Sequence, residues 1–303
     1  MKKVLLIVAI VIAGFVSKAQ QLPMYSQYMM NGFLLNPAMA GSFDYSPIRI
    51  TARTQWTGIE LAPQTFAISG HTLMNNKKVG LGGYIYSDDF GPATRTGIQG
   101  SFAYHLTVDR FNSKLSFGLS MSGYQYVLHE DLLNLIDDND PSISYGKEVR
   151  FLPDATFGTY LYNSQYFVGF AATQLFEFKV DIGDGTTDEN KMVRHMYLTA
   201  GYKFNLGEKM ELEPSFLMKM AKSAPMQFDF NLKAYYQKNY WFGISYRTKD
   251  AAIAMLGVKV EQYYIGYAFD YSLSNIRSYN NGTHEIILGI NLGEGATKGS
   301  SLL

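Results

Sequence analysis

Between residues 114 and 122 the chain alternates: Leu115, Phe117, Leu119 and Met121 take one set of positions, and Lys114, Ser116, Gly118, Ser120 and Ser122 the other. A period of two puts the first set on one face of a β-strand and the second on the opposite face. The pattern recurs with Phe228, Phe230, Leu232 and Ala234 against Gln227, Asp229, Asn231 and Lys233, and with Met210, Leu212, Phe216 and Met218 against Glu211, Glu213, Ser215 and Lys219. Taking alternating runs bounded by turn residues as strands predicts 14 of them, over 47–56, 63–74, 78–88, 94–108, 114–128, 150–162, 165–176, 191–206, 209–221, 226–237, 240–248, 251–260, 263–272 and 283–291.

The connections order these strands. After even-numbered runs they are short: NNK at 75–77, DRFNS at 109–113, NS at 163–164, GE at 207–208, KN at 238–239 and EQ at 261–262. After odd-numbered runs they are mostly longer, as in TGIELA, HEDLLNLIDDNDPSISYGKEV and EFKVDIGDGTTDENK, with 249–250 as the exception. Tight turns at one end and long loops at the other, joined by strands of about 9–11 residues or slightly more, are the layout of a transmembrane antiparallel β-barrel of the bacterial outer membrane. Lipid offers no partner to backbone N–H and C=O groups, so the sheet must close. A soluble propeller would show a blade repeat of about 40–50 residues, which this chain lacks. A soluble sandwich would need a more charged outer face than 17% charged residues allow.

Composition fits an all-β chain: 23 tyrosines and 20 phenylalanines against 2 tryptophans, with 28 glycines scattered among them. A formal net charge of zero argues against a nucleic-acid binder, which would show a basic surface. The absence of cysteine removes disulfides, thiolate metal sites and a lipidation signal. Two lysines, an apolar run from Val4 to Val16 and Ser17-Lys18-Ala19 read as a signal peptide over 1–19, cleaved near Ala19. The apolar run falls short of the roughly 20 residues of a spanning helix. The expected organisation is then an N-terminal periplasmic segment over 20–46, the barrel over 47–292 and a polar tail over 293–303.

Candidate chemistry is sparse. The five histidines (His71, His105, His129, His195 and His284) are dispersed, there is no Gly-x-Ser-x-Gly or His-Glu-x-x-His motif, and VGLGGYIY at 79–86 lacks the third glycine of a dinucleotide loop. A Ser/His pair meeting in space is the catalytic alternative; the reading is a non-enzyme without cofactor. DDNDP at 137–141 and DIGDGTTDEN at 181–190 lack EF-hand spacing and read as solvated loops rather than metal sites. The strand phase turns Arg49, Arg53, Glu211, Glu213, Lys219, Asp229, Lys233, Asp270 and Glu285 to the inside. Mixed charges in an enclosed lumen should pair, which implies a braced or plugged interior.

One segment matches neither period: YSQYMMNGFLLNPAMAGS at 25–42. Asn36-Pro37 marks a turn, Ala38, Ala40 and Gly41 permit close packing, and Tyr25, Tyr28, Phe33 and Leu34 can cover apolar surface. It is expected to pack into or across the periplasmic mouth as a plug or latch. Together with RTQWTG at 53–58, APQTFAISG at 62–70, KVGLGGYIYSDDFGP at 78–92 and YAFDYSLSNIRSYNNGTHEIILGI at 267–290, in that order, it resembles the PorP/SprF family of outer-membrane proteins of the type IX secretion system, over residues 21 to 292. The motif residues are Tyr28, Asn31, Asn36, Pro37, Ala38, Gly41, Gln55, Trp56, Asp270, Tyr271, His284 and Glu285. The resemblance implies a role in protein secretion, surface attachment and gliding in bacteria of the Bacteroidetes type, without catalytic residues. Implied partners are outer-membrane lipid, translocon subunits, a secreted or surface-attached cargo such as a large adhesin, and a periplasmic peptidoglycan-binding component. GEGATKGSSLL after Asn291 departs from barrels that end on an aromatic. The alternative function is a transport barrel for small hydrophobic or polar solutes.

Overall fold

Alternation along the chain becomes a closed sheet. The computed structural model describes residues 23–132, 146–179, 192–222 and 224–293. The leader, the acidic stretches at 137–141 and 181–190 and the tail from 294 lie outside the described residues. Fourteen strands follow one another among the described residues. These are β1 Ser46–Thr54, β2 Gln64–Leu73, β3 Val79–Phe90, β4 Ala93–Val108, β5 Ser113–His129, β6 Lys147–Tyr162 and β7 Tyr166–Thr173. After them come β8 His195–Tyr202, β9 Met210–Ala221, β10 Ala224–Tyr236, β11 Tyr240–Arg247, β12 Ala251–Val260, β13 Tyr263–Ser272 and β14 Thr283–Leu292. Each pairs antiparallel with its neighbours in sequence, and β1 closes on β14 with Arg53 opposite Glu285 and Ser46 opposite Leu292. β8 resumes after Lys203 as Phe204–Asn205. The cause of the break lies across the sheet: Pro214 of β9 has no N–H for the ladder, and the pairing stops at Ser215–Gly201 and restarts at Leu212–Phe204.

The outer face is apolar. Ile50, Ile68, Ile98, Leu119, Phe242 and Ile265 are all exposed, an arrangement that suits lipid. Aromatic rings bracket the band: on β13 the exposed Tyr263 and Tyr271 lie eight residues apart, about 27 Å along a strand at ~3.4 Å per residue. Among the described residues no helix is long and apolar enough to cross a membrane; the strands do so.

The two ends differ as the connection lengths predict, with corrections. On the loop side β3 and β4 are joined by 91–92 alone, and β9 and β10 by 222–223, so 249–250 is not the single short connection there. The reason is local pairing: Asp88 opposes Arg95 and Asp89 opposes Thr94, whose hydroxyl donates to Asp89 Oδ1 at 2.7 Å, so the ladder continues to Phe90–Ala93.

Residues 25–41 form three single 3₁₀ turns, Tyr28–Met30, Gly32–Leu34 and Pro37–Met39, inside the barrel. Asn36 caps the third, its Oδ1 accepting the Ala38 N–H at 2.9 Å, with Pro37 pre-set at the first position. Pro23 and Met24 reach the level of Gln55, Trp56 and Lys249 at the loop end. Gly41, at the other end of the run, packs on Leu73 and Gly80 next to the tight turns. The segment therefore runs from the loop end at Pro23 to the tight-turn end at Gly41.

Candidate functional site

The phase of β1, β10, β11, β13 and β14 turns Arg53, Asp229, Arg247, Asp270 and Glu285 inward, all at most 4% exposed. Arg53 pairs with Asp270 at 2.9 Å and with Glu285 at 3.2 Å. Arg247 Nε donates to both oxygens of Asp229, at 3.2 and 3.0 Å, and its Nη1 lies 3.8 Å from Asp270. The N-terminal segment completes this network. Glu285 accepts the backbone N–H groups of Ser26 and Gln27 at 2.7 and 2.8 Å, one on each oxygen. Ser26 Oγ donates to Asp270 at 2.6 Å and accepts from Arg53 Nη1 at 2.5 Å. Buried charges are tolerated when paired and hydrogen-bonded, and charge-assisted bonds are the stronger kind.

Next to it Lys233 and Glu213, both fully buried, pair at 2.7 Å. Glu213 also accepts the Tyr235 hydroxyl at 3.3 Å, and Met30 Sδ lies 3.8 Å from Lys233 Nζ. Glu211 pairs with Lys203 at 3.8 Å. Asn231 Nδ2 donates to the Tyr28 hydroxyl at 2.7 Å. Arg49 donates to the Ile48 and Ile290 carbonyls at 3.1 and 3.3 Å and lies over the Tyr264 ring.

The opposite wall works by space. Gly80, Gly118 and Gly158, on β3, β5 and β6, lie so close to Ala40, Ala38 and Asn36 that a Cβ at any of them would occupy the segment's own atoms. At Gly82 a Cβ would come within 2.7 Å of Phe33 Cζ. Asn36 Nδ2 donates to the wall's Thr159 and Phe170 carbonyls at 3.0 and 3.3 Å. Ser116 donates to the Ala38 carbonyl at 2.5 Å, and His105 Nε2 to the Ala40 carbonyl at 2.8 Å. Gly41 N–H donates to His71 Nδ1 at 3.1 Å, and Asn31 Nδ2 to Ser69 Oγ at 2.9 Å. The spaces left beside the segment measure ≈ 70 and ≈ 40 Å³.

Of the residues singled out in the sequence, Tyr28, Asn31, Asn36, Pro37, Ala38, Gly41, Asp270 and Glu285 thus gather in the lumen with Arg49, Arg53, Glu211, Glu213, Lys219, Asp229 and Lys233. Tyr271 and His284 point the other way, because each adjoins an inward carboxylate on a strand of period two; His284 Nδ1 meets the Tyr267 hydroxyl at 2.7 Å. Gln55 and Trp56 lie at the loop end, where Trp56 N–H donates to Thr283 Oγ1 at 3.0 Å. Ser26, Gln27, Arg95 and Arg247 were not singled out, although strand phase already places Arg95 and Arg247 inside. Among the described residues no group of acidic or histidine side chains is arranged to hold a metal ion.

A family model described as type IX secretion system membrane protein PorP/SprF matches residues 17–290. No curated protein sequence matches the chain. Among solved structures the barrel is similar to the toluene transporter TbuX of Ralstonia pickettii, with 9% identity, a TM-score of 0.55, and coverage of 86% of this chain and 92% of that one. It is also similar to the CymD monoaromatic hydrocarbon channel, with 10% identity, a TM-score of 0.51, and coverage of 86% and 91%. At these identities the likeness is one of fold.

Proposed function

Because the chain belongs to the PorP/SprF family of type IX secretion system membrane proteins, we propose that it is a non-enzymatic outer-membrane scaffold that supports the export or surface attachment of partner proteins while its own lumen stays closed. The observation that carries this reading is the occupied lumen: the 25–41 segment is bonded to both walls, and the spaces beside it measure only ≈ 70 and ≈ 40 Å³. A barrel filled in this way serves by presenting surfaces. Its long loops face outward toward a cargo such as a large adhesin. Its tight turns face the periplasm, toward translocon subunits and a peptidoglycan-binding component, and its apolar band meets outer-membrane lipid.

Deleting the gene should deplete specific large proteins from the cell surface or medium, and tagged translocon subunits should co-purify the barrel. Unchanged secretion together with altered solute uptake would overturn the proposal. A second reading, transport of small hydrophobic or polar solutes, is supported by the aromatic-lined spaces beside the segment, with Tyr84, Tyr86, Tyr124 and Tyr197 around the larger. It requires the segment to leave. In planar bilayers the full chain should conduct little and a chain lacking residues 21–42 should conduct well; equal conductance of the two would show that the segment is only a tether.

A further inference from the structure

Arg95 on β4 is the exception among the lumen arginines. It is 1% exposed, yet its Nε, Nη1 and Nη2 have no hydrogen-bond partner among the described residues. Its guanidinium lies over the rings of Phe90, at 5.3 Å, and Tyr124, at 5.7 Å, whose faces attract the cation but offer no in-plane acceptor. Asp88 stands opposite on β3, but its Oδ1 takes the Thr65 hydroxyl at 2.7 Å and it forms no ion pair with Arg95. Arg53 and Arg247, by contrast, are met by carboxylates. Leaving a buried guanidinium unmatched is costly, and its planar fork matches a carboxylate edge.

A second cation faces the same space. Lys219 on β9 is 7% exposed and forms no ion pair among the described residues. Both line a cavity of ≈ 600 Å³ at the loop end of the barrel, on the far side of the segment from the tight turns. Three cations, Arg95, Lys219 and Lys249, and two carboxylates, Asp88 and Asp250, line it. That balance suits one negative charge better than the two of a phosphate. The rest of the lining includes Trp56, Phe90, Pro63 and Met226, which suits an apolar body.

We infer that this vestibule binds a carboxylate carried on an apolar, ring-sized body, with Arg95 as the bidentate partner and Lys219 as the second charge. The carboxylate has two sources of the same chemistry, a free organic acid or the C-terminus of a polypeptide ending on an apolar residue. The inference stands on the cavity and its cations, independently of the scaffold role.

The chain has two tryptophans, Trp56 in the vestibule and Trp241 deeper in the lumen, so a Trp241→Phe protein reports on the vestibule alone. The full chain in detergent, its fold checked by heat-dependent gel mobility, is titrated with phenylacetate, with neutral phenylacetamide, and with a pentapeptide ending in phenylalanine whose C-terminus is free or amidated. Phenylacetate should change Trp56 fluorescence saturably and bind at least about tenfold more tightly than the amide; Arg95→Gln should weaken it about tenfold and Lys219→Met by a smaller factor. Tighter binding of the free-ended peptide than of phenylacetate, lost on amidation, assigns the site to a chain end; phenylacetate binding as well or better assigns it to a small acid. No saturable response, equal binding of acid and amide, or wild-type affinity in Arg95→Gln overturns the inference. Should Arg95→Gln not fold, the acid-to-amide ratio in the parent protein and the Lys219→Met response decide.

Discussion

On the side of the lumen formed by β1, β10, β11, β13 and β14, residues 26–30 meet charge: Glu285 takes two backbone N–H groups, Asp270 a hydroxyl, and Lys233 lies by Met30. On the side formed by β3 to β7, residues 33–40 meet backbone, let in by glycines at 80, 82, 118 and 158. The two walls tolerate different errors. A carboxylate on a flexible stem follows a small displacement of its donor, but nothing replaces its charge. A glycine wall needs no chemistry, but it has no room for even a methyl group.

The largest effect is therefore expected on the glycine side. Gly118→Leu puts a side chain where Pro37 and Ala38 lie, so the segment must leave. The barrel should still insert, but bilayer conductance should rise and residues 25–41 should become open to protease; a closed, protected segment would mean that the wall yields instead.

Next comes the ionic side. Glu285→Ala leaves Arg53 with one partner fewer and strips two backbone N–H groups of their acceptor. Breaking a buried pair costs about 3–5 kcal/mol, and urea unfolding in detergent measures it. A loss below about 1 kcal/mol would place the retention of the segment on the glycine wall alone. The sharpest comparison is the smallest. Asn36→Ala removes a cap and two bonds to wall carbonyls, about 1–2 kcal/mol, whereas Tyr28→Phe removes one bond to Asn231, about 1 kcal/mol. The order of the two losses, read in the same assay, tests whether Asn36 is the stronger hold.

Much of this architecture is legible in the amino-acid order because closed sheets in lipid obey one rule throughout. Every other residue faces lipid and must be apolar, so the 14 strands, their phase and the inward direction of Arg53 or Lys233 follow from local pattern. Tyr271 shares a motif with Asp270, and His284 with Glu285, yet neighbours on a strand face opposite sides and only the carboxylates reach the lumen. Connection lengths depart from the expected alternation where the Asp89–Thr94 bond extends the β3–β4 hairpin to Phe90–Ala93.

What the order of residues determined by itself is each side chain's face, because that depends only on its own strand. What the tertiary structure decided is which distant groups share the lumen: that Ser26 meets Glu285, that Gly118 makes way for Ala38, and that Arg95 is buried without a hydrogen-bond partner among the described residues beside an engaged Asp88. Those meetings are set by barrel closure and by the path of a segment without a repeating pattern, and no local period encodes either.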